Sequence, residues 1–383
     1  ARTARVGAGT RWSALVDVLD PLGLSPAIMQ SNDSFTIGGS ISVDCHGWQT
    51  GRPPIASSVR SMVAMTPDGV VHELSRDREP ELFSLVLGGY GLFAIVIEAE
   101  LQLVPNRRYQ LARFVVPSAE YAEVFAREIV ADGRAELAFG RLSITPGDDF
   151  LGEAILTALR PTDDQDALPP LDDAMLAGTR RLLFRASADG PAAKRLRWQA
   201  ERELGALLGA RTITRNSLLS EGVEVYENHS ALTTDVLHEY FVPRDRFADF
   251  VVRLGDVVTE HRGNLLNVTV RDVDADPDAF LRFADQPMFA LVLLFEQPRT
   301  DAGEAAMAAM TRALIDEALA VGGRFYLPYR LHATEDQLRR AYPQWDELVA
   351  RKRALDPQLV LRNGLWDRYA SDVLPMIQAV VAD

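Results

Sequence analysis

Short runs of apolar and β-branched residues, separated by glycine and polar turns, fill residues 25–105 of this 383-residue chain. Such runs are typical of β-strands, because branched side chains pack well on a pleated surface. They predict four strands and one short helix, which has Pro80 at its first position. The strands are Ser40–Val43, Val59–Thr66, Val70–Leu74 and Ala94–Val104, and the helix is Glu79–Val86.

The first residues of the chain predict the end of a strand and then a helix. The segment 1–10 runs into a glycine turn, and the helix is expected over Arg11–Leu19 with Thr10 as its N-cap. Pro21 and Gly23 are expected to close this helix. The segment lacks a start methionine and the apolar stretch of a signal peptide, so we expect that a further segment precedes it.

The middle of the chain contains an apparent internal repeat. Strand, helix and strand follow one another twice, and Phe114–Tyr121 aligns with Tyr240–Phe247. We therefore expect two βαβ-like units in one sheet covered by helices, with chance similarity as the alternative for so short a match. The first unit is Tyr109–Pro117, Ala119–Ala131 and Ala135–Ile144; the second is Leu237–Pro243, Asp245–His261 and Leu265–Val273.

Two other segments have a clear pattern. Pro161–Leu171 is rich in Asp and Pro and predicts a surface loop. Asp301–Val321 is rich in alanine and predicts a helix that ends at the glycine pair Gly322 and Gly323.

The composition describes a folded globular protein, with 47% hydrophobic and 25% charged residues. No apolar run is long enough to span a membrane, and a net charge of −14 argues against nucleic acid as a partner. The one cysteine, Cys45, permits no intrachain disulfide, so we expect a cytoplasmic protein. Only two of the 40 basic residues are lysines, Lys194 and Lys352. The six histidines lack the spacing of metal ligands, so we expect no metal.

Two glycine-rich segments carry the candidate chemistry. Gly89–Ala94 fits the dinucleotide fingerprint GxGxxA, but a helix precedes it and a strand follows, which is the reverse of the required order. What remains is a sharp turn whose backbone amides are able to serve a phosphate or a flavin, or simply a tight turn. In Phe35–Trp48, paired glycines and small hydroxyl residues lead to His46, which is either a cofactor contact or a core histidine.

In this order, the two segments resemble the FAD-binding domain of the vanillyl-alcohol-oxidase type flavoproteins, whose FAD domain is called PCMH-type. The nearest branches are the sugar-lactone and alditol oxidases and the decaprenylphosphoryl-ribose 2′-oxidases. The similar segments are Ile37–Trp48, Pro53–Ile55, Val59–Met62, Thr66–Gly69, Pro80–Phe83 and Gly88–Phe93, then Arg324–Tyr329, Ala341–Pro343, Asp356–Pro357 and Leu361–Asn363.

The resemblance implies an α+β fold with FAD as its cofactor. Residues 1–105 would be the second part of the FAD-binding domain, 106–323 an α/β substrate cap with an antiparallel sheet covered by helices, and 324–383 a segment that returns to the FAD domain. The implied cofactor contacts are Gly38, Gly39, Ser42, Val43, His46, Gly47, Gly88, Gly89, Gly91, Ile95 and Tyr326.

The chain departs from this family at several positions. It lacks the smaller subdomain that precedes this point in the family, so we expect the chain as given to bind FAD weakly or not at all. Ala94 replaces the last glycine of the turn motif. Tyr329 replaces a lysine of the ribose-oxidising branch, and Trp48 replaces the lysine that often follows His-Gly, which argues against a phosphosugar substrate.

The resemblance implies oxidation of a small alcohol or sugar-like molecule by hydride transfer to FAD. Glu239 is the candidate base, and Tyr329 and Arg330 are candidate acids, bases or anchors. Trp48, Leu266 and Val268 are implied substrate contacts, although alternation along Leu266–Arg271 sets Arg271 on the other face of that strand. The alternative is a flavoprotein fold without redox activity that serves as a binding or scaffold module.

Overall fold

The computed structural model describes residues 2–147, 149–165, 168, 169, 171, 190–208, 212–220 and 227–370. Its first sheet, the N-terminal sheet, is antiparallel, with strand order β1-β5-β3-β4, and β2 also pairs with β5. Three of the four predicted strands lie in it within one residue of the expected bounds. The strands are β1 Thr3–Gly7, β2 Leu24–Pro26, β3 Val59–Met65, β4 Val71–Ser75 and β5 Ile95–Pro105.

The helices of this part are α1 Trp12–Leu19, α2 Ile37–Ser42 and α3 Pro80–Val86. The prediction of α3 with Pro80 at its start is confirmed. The predicted first helix is confirmed, but Thr10 is not its N-cap: Arg11 occupies that position and supplies no side-chain hydrogen bond. Gly23 has a φ of 64° in the turn after α1, as expected for the residue that closes it.

The predicted strand Ser40–Val43 is wrong, because this segment is the helix α2 and its C-terminal residue. The Thr36 side chain caps the helix by accepting a hydrogen bond from the Gly39 amide. Gly38 lets the helix approach the end of β1, since a Cβ there would lie 2.8 Å from the Ala8 Cβ. Close packing on a neighbour therefore outweighs the poor helix propensity of two glycines.

The central sheet has eight strands in the order β13-β10-β12-β11-β7-β8-β6-β9, with every neighbouring pair antiparallel. Together with the N-terminal sheet and the helices, it gives the expected α+β class. The strands are β6 Arg108–Pro117, β7 Leu137–Leu142, β8 Glu153–Pro161, β9 Thr212–Thr214, β10 Thr233–Pro243, β11 Asn264–Val273, β12 Met288–Pro298 and β13 Arg324–Phe325.

The internal repeat is confirmed, and each unit has one more strand than expected. The order in one half is β6-β8-β7 and in the other β10-β12-β11, so the two halves meet where β7 pairs with β11. Both first strands lead through a 3₁₀ turn into a helix, which begins at Tyr121 in one half and at Phe247 in the other. These two aligned residues contact each other, with ring centroids 4.9 Å apart.

The remaining helices cover the central sheet and close the fold. The first repeat helix, α4, runs over Tyr121–Phe125 and continues as a π-helix over Ala126–Ala131. The predicted alanine-rich helix is α8, and its N-cap Thr300 accepts from the Gly303 amide. The others are α5 Pro191–Leu208, α6 Arg215–Leu219, α7 Phe247–Glu260, α8 Asp301–Ala320, α9 Glu335–Ala341, α10 Trp345–Leu355 and α11 Gly364–Tyr369.

One hydrophobic core joins both sheets and the C-terminal helices, from Trp12 to Ala370. The C-terminal segment contacts the N-terminal part directly, because Asn363 Nδ2 donates to the Tyr90 carbonyl at 2.8 Å. The domain boundaries at 105 and 323 remain predictions. In the expected loop Pro161–Leu171, residues 162–165 belong to no helix or strand, as predicted, and residues 166, 167 and 170 lie outside the described part of the chain. No helix among the described residues is both long and apolar enough to cross a membrane.

Candidate functional site

The site lies between the N-terminal sheet and one face of the central sheet. Strand register defines this face, because directly paired residues of neighbouring strands point to the same side. Glu239 of β10 pairs with Val292, Val292 with Thr269, and Thr269 with Arg141, so these four share the face. We call it the inner face. His238 points to the opposite side, where it contacts Thr311 of α8.

Glu239 is the buried carboxylate of the inner face, with 3% of its surface exposed. His46 Nε2 lies 2.6 Å from Glu239 Oε1, and the Tyr329 hydroxyl donates to Oε2 at 3.0 Å. The three residues come from the loop after α2, from β10 and from the segment after β13. The structure therefore brings the candidate base, one candidate acid and one predicted cofactor contact into a single network.

The electrostatics of this network keep the carboxylate charged. Burial alone would raise the pKa of Glu239, but His46, Arg271 and the Tyr329 hydrogen bond outweigh burial and lower it below its usual value. Burial, together with the Glu239 charge, raises the pKa of Tyr329 well above its usual value. Tyr329 is therefore a neutral phenol that donates its proton toward an ionised Glu239.

Aromatic rings and Arg271 fix the position of His46. The ring centroid of His46 lies 5.4 Å from that of Phe241 and 6.1 Å from that of Tyr326. Tyr326 in turn donates from its hydroxyl to the Val43 carbonyl at 2.7 Å. Arg271 Nη1 donates to the His46 carbonyl at 3.3 Å. Within the described part of the chain, His46 Nδ1 is buried without a hydrogen-bond partner.

The predicted cofactor contacts divide into a surface group and a buried group. Gly39, Gly91 and Ile95 are exposed; Gly38, Ser42 and Val43 are half-buried; His46, Gly47, Gly88, Gly89 and Tyr326 are buried. Backbone hydrogen bonds bring the segments together, since the Tyr90 amide donates to the Ser42 carbonyl and the Gly38 amide to the Ala8 carbonyl.

The surface group Gly39, Gly91 and Ile95, together with the exposed Gly9 and Ile97 and the half-buried Gly38, makes up what we call the glycine wall. Ile95 and Ile97 are 50% and 46% exposed, which is unusual for large aliphatic side chains next to each other on one strand face. Nothing lies within 4 Å of a Cβ built on Gly9 or Gly91. This combination of bare backbone and exposed aliphatic side chains fits a flat aromatic or nucleotide ligand.

Gly47 and Gly89 are glycines for another reason than the one expected. A Cβ on Gly47 would lie 2.0 Å from the Met29 carbonyl oxygen, and one on Gly89 would lie 1.9 Å from the Leu85 carbonyl oxygen. The chain's own backbone therefore excludes a side chain at both positions. A larger residue at either position would therefore disturb the fold itself, with or without a cofactor.

A cavity of about 520 Å³ opens beside the network. Tyr329 and Arg330 line one side of it, and Leu237 and Leu294 of the inner face line another. Arg330 forms an ion pair with Glu304, so its guanidinium is held at the cavity rim and not at Glu239. Such a volume suits a small-molecule ligand.

The implied substrate contacts have different outcomes. Val268 pairs with Leu293 and through it with His238, so it lies on the helix-covered face, opposite Glu239. Leu266 stands at a β-bulge, and both residues have no exposed surface. The expected pocket face is therefore wrong for Val268, whereas the role of Leu266 at the bulge stays a prediction. Trp48 packs on Phe139 with centroids 4.8 Å apart, on the inner-face side, and its role stays a prediction.

The sequence analysis did not predict Gly9 and Ile97 as part of the glycine wall. It also did not predict that Arg271 lies at the site, beside His46. The alternation Asn267, Thr269, Arg271 did place Arg271 on one face of its strand, and the register now shows that this is the face of Glu239. A signal for Gly9 existed in the Gly-Ala-Gly turn after β1, which was treated only as a turn.

Comparison with known proteins finds a matching family and several relatives. Residues 1–75 match the family described as FAD binding domain. L-galactono-1,4-lactone dehydrogenase 2, mitochondrial, of Oryza sativa subsp. japonica is 40% identical over 110 residues, which is 29% of this chain and 18% of the relative. The chain thus covers less than a fifth of that relative.

Two other relatives match over most of this chain at lower identity. Cytokinin dehydrogenase 3 of Arabidopsis thaliana is 24% identical over 386 residues, covering 94% of this chain and 71% of the relative. An uncharacterized oxidoreductase of the fasciation locus of Rhodococcoides fascians is 22% identical over 371 residues, with 94% and 78% covered.

Proposed function

We propose that this chain, which is related to the FAD-binding oxidoreductases and has FAD as its cofactor, oxidises the CH–OH group of a sugar, alditol, sugar lactone or related alcohol. The match of residues 1–75 confirms the flavoprotein resemblance. The observation that carries the proposal is the buried Glu239 carboxylate, held at one oxygen by His46 and at the other by Tyr329.

The residues present fit the cofactor. The exposed glycines and aliphatic side chains of the glycine wall would hold FAD on one side. The network of His46, Glu239 and Tyr329 stands beside the cavity at the inner face. When bound, FAD supplies a two-electron acceptor for the hydride of the carbinol carbon.

The protein's own task is to orient the alcohol and to take one proton. Tyr329 lines the cavity, and in this proposal the substrate hydroxyl lies at its phenol oxygen. Because this hydroxyl donates to Glu239 Oε2, the Tyr329 oxygen is able to accept a proton from the substrate. As it does so, the phenolic proton moves to Glu239, and the nearby His46 stabilises the carboxylate before that transfer.

The test is Glu239→Gln in FAD-loaded protein. The amide keeps the shape of the side chain but accepts no proton, so we expect kcat to fall by roughly 10²- to 10⁴-fold while flavin content stays unchanged. A panel of sugars, alditols and sugar lactones serves as substrate, with flavin bleaching under anaerobic conditions as the readout. Glu73→Gln, at an exposed ion pair with Arg78, is the matched control.

Two results would contradict the proposal. Equal flavin reduction by Glu239→Gln and the control would remove Glu239 from the chemistry. A protein that binds FAD but is reduced by no alcohol in the panel would favour the alternative function as a binding module.

A further inference from the structure

Glu304 of α8 contacts the chain segment that carries Tyr329. Its Oε1 lies 2.8 Å from His332 Nε2. Its Oε2 accepts from Gln297 Nε2 at 2.9 Å and from the Arg330 guanidinium. Arg330 and His332 follow Tyr329 closely in the chain, within residues 326–334, which belong to no helix or strand. We call the group of Glu304, Arg330 and His332 the carboxylate clasp.

The contacts of His332 define where its hydrogen lies. Burial, together with the charges of Arg330 and Arg312, lowers the pKa of His332 to about 4, so the ring is neutral at neutral pH and carries one N–H. Because a carboxylate only accepts, this N–H is on Nε2 and donates to Glu304. Nδ1 then accepts from the Thr311 hydroxyl at 2.9 Å. Helix α8 therefore holds His332 at both ring nitrogens.

The carboxylate clasp is a network and not an isolated surface pair. The Glu304 side chain is 45% exposed, and an exposed ion pair with Arg330 alone would contribute little. The other two donors are shielded from water, because Gln297 is buried and the His332 side chain is 9% exposed. Hydrogen bonds from such donors to a charged acceptor are stronger than exposed ones, so the carboxylate has a defined position.

Tyr329 depends on its neighbours for its position. Within the described part of the chain, neither its backbone amide nor its carbonyl forms a hydrogen bond. Before it in the chain, the Tyr326 amide donates to the Glu239 carbonyl at 3.0 Å, and after it comes the carboxylate clasp. Its phenol reaches Glu239 Oε2 at 3.0 Å, beside the cavity. Movement of the clasp would therefore displace the phenol from Glu239.

We propose that Glu304 is a positioning residue of the proposed active site, which holds the phenol of Tyr329 at Glu239 through Arg330 and His332. This inference rests on the proposed function and adds a residue that acts through others and not on the substrate. It also gives Arg330 a role in place of the open choice between acid, base and anchor. The Arg330 guanidinium is bound by Glu304 and fixes the loop at the cavity rim.

The first measurement observes Tyr329 without any turnover. In the full chain with ¹³Cζ-labelled tyrosine there are nine tyrosine signals, and Tyr329→Phe identifies the one that belongs to Tyr329. Glu239→Gln removes the charged acceptor and shows where this signal lies when the phenol no longer donates to a carboxylate. We expect Glu304→Gln to move the Tyr329 signal toward that position, because an amide nitrogen cannot accept from Arg330 or His332.

The second measurement is flavin reduction by an alcohol of the panel in FAD-loaded protein. Glu304→Gln should lower kcat about tenfold or more, since a small displacement of a reacting group is costly, and it should change KM less. In the Tyr329→Phe background the same substitution should have little further effect, because the phenol that it positions is gone. A merely structural role would lower kcat equally in both backgrounds.

Three further variants keep the test independent of folding. Glu317→Gln removes a carboxylate of the same helix that pairs with Arg253 at 2.6 Å, and it should change neither measurement. Arg330→Gln breaks the clasp from the other side and should move the Tyr329 signal as Glu304→Gln does. Arg330→Lys keeps a cation for Glu304 and should restore part of the wild-type signal position.

Two results would overturn the proposal. One is a Tyr329 signal that stays in place in both Glu304→Gln and Arg330→Gln. The other is an equal loss of kcat from Glu304→Gln with and without the Tyr329 hydroxyl.

Failure of this inference differs from failure of the proposed function. If an alcohol reduces the flavin and Glu304→Gln leaves both kcat and the Tyr329 signal unchanged, the oxidation stands and the positioning role is wrong. If Glu304→Gln moves the Tyr329 signal but no alcohol reduces the flavin, the positioning of Tyr329 stands and the oxidation is wrong.

Discussion

Asp44, two residues before His46, is a buried acid in an unusual position. Its φ is 50°, its Oδ1 accepts from the Ala56 amide at 3.0 Å, and its carboxyl faces Asp276 of the central part. Burial, reinforced by the Asp276 charge, raises the pKa of Asp44 well above its usual value. The folded protein therefore releases the Asp44 proton at a higher pH than the unfolded chain does.

We predict that Asp44→Asn stabilises the protein at pH 8 but not at pH 3.5. The ordinary pKa of an aspartate is 3.8, and the pKa of Asp44 is higher than this in the folded protein. As the pH rises from 3.8 through the folded-state pKa, ionisation of Asp44 therefore lowers the free energy of unfolding. Asparagine does not ionise, so the variant has no such loss. Asparagine also tolerates positive φ and offers both a donor and an acceptor. The melting temperature of Asp44→Asn should exceed that of the wild type by a few degrees at pH 8. The exposed Asp77→Asn is the control. A lower melting temperature of Asp44→Asn at pH 8 would contradict the argument.

We predict opposite effects for substitutions at two glycines of the site. Gly47→Ala should lower the melting temperature, because its Cβ would overlap the Met29 carbonyl, at a cost of about 1–3 kcal/mol. Gly9→Val should leave melting unchanged, because the space around Gly9 is open and its φ is not positive, and should weaken FAD binding. Melting and flavin titration on both variants check this. Intact FAD affinity in Gly9→Val would exclude the glycine wall as a cofactor surface.

At the scale of elements, the sequence pattern predicted β3, β4, β5, the first and second strands of each repeat unit and the helices α1, α3, α4, α7 and α8. It gave no prediction for β8, β12 or α5, and it predicted α2 as a strand. Alternation and β-branched runs report burial of one face, which is why β3, β4, β5 and the repeat strands were found. In α2 the deciding contacts are distant, with Trp12 Nε1 donating to Ser40 Oγ and Gly38 packed on Ala8. No local pattern contains such contacts, so propensity gave the wrong answer there.

Helix α10 depends on a buried ion pair. Lys352 and Asp356 are 0% and 1% exposed and pair one turn apart, and Asp356 also accepts from the Val360 and Leu361 amides, each at 2.9 Å. Lys352→Met should cost about 3–5 kcal/mol in urea unfolding, because the carboxylate would stay buried without its cation.

The double variant with Asp356→Asn is the matched control for this pair. Asparagine removes the unpaired charge and still offers an oxygen to one of the two amides, so part of the loss should be recovered. Wild-type stability in Lys352→Met would show that the pair contributes nothing to the end of α10.

At the scale of the whole molecule, both sheets share one core and should unfold together. The Arg76 guanidinium donates to the Asp278 carboxylate, and the Tyr326 hydroxyl donates to the Val43 carbonyl. The hydrophobic cluster is continuous from Trp12 to Ala370. We predict a single calorimetric transition with equal calorimetric and van't Hoff enthalpies. Two resolved transitions would mean that the N-terminal part and the central sheet fold separately.

The sequence predicted individual residues of the candidate site, but it did not predict which of them lie next to each other. His46, Glu239 and Tyr329 were each named from the sequence, yet nothing in the sequence required His46 to meet Glu239 across 193 residues. The choice of face on β11 failed for a related reason. Alternation separates Val268 from Arg271, but only the pairing of β11 with β12 and β10 determines which of them faces Glu239.

The scarcity of lysine has a practical consequence for chemical modification of this protein. Lys352 is fully buried, and the Lys194 ammonium is hydrogen-bonded to Asn264 Oδ1 and the Leu265 carbonyl, each at 2.9 Å. Reagents that acylate or methylate amines would thus meet few free side chains, whereas glyoxal reagents would react over the whole surface. The surface cations also keep their charge in alkaline solution up to a pH of about 12, where lysine-rich surfaces have already lost theirs.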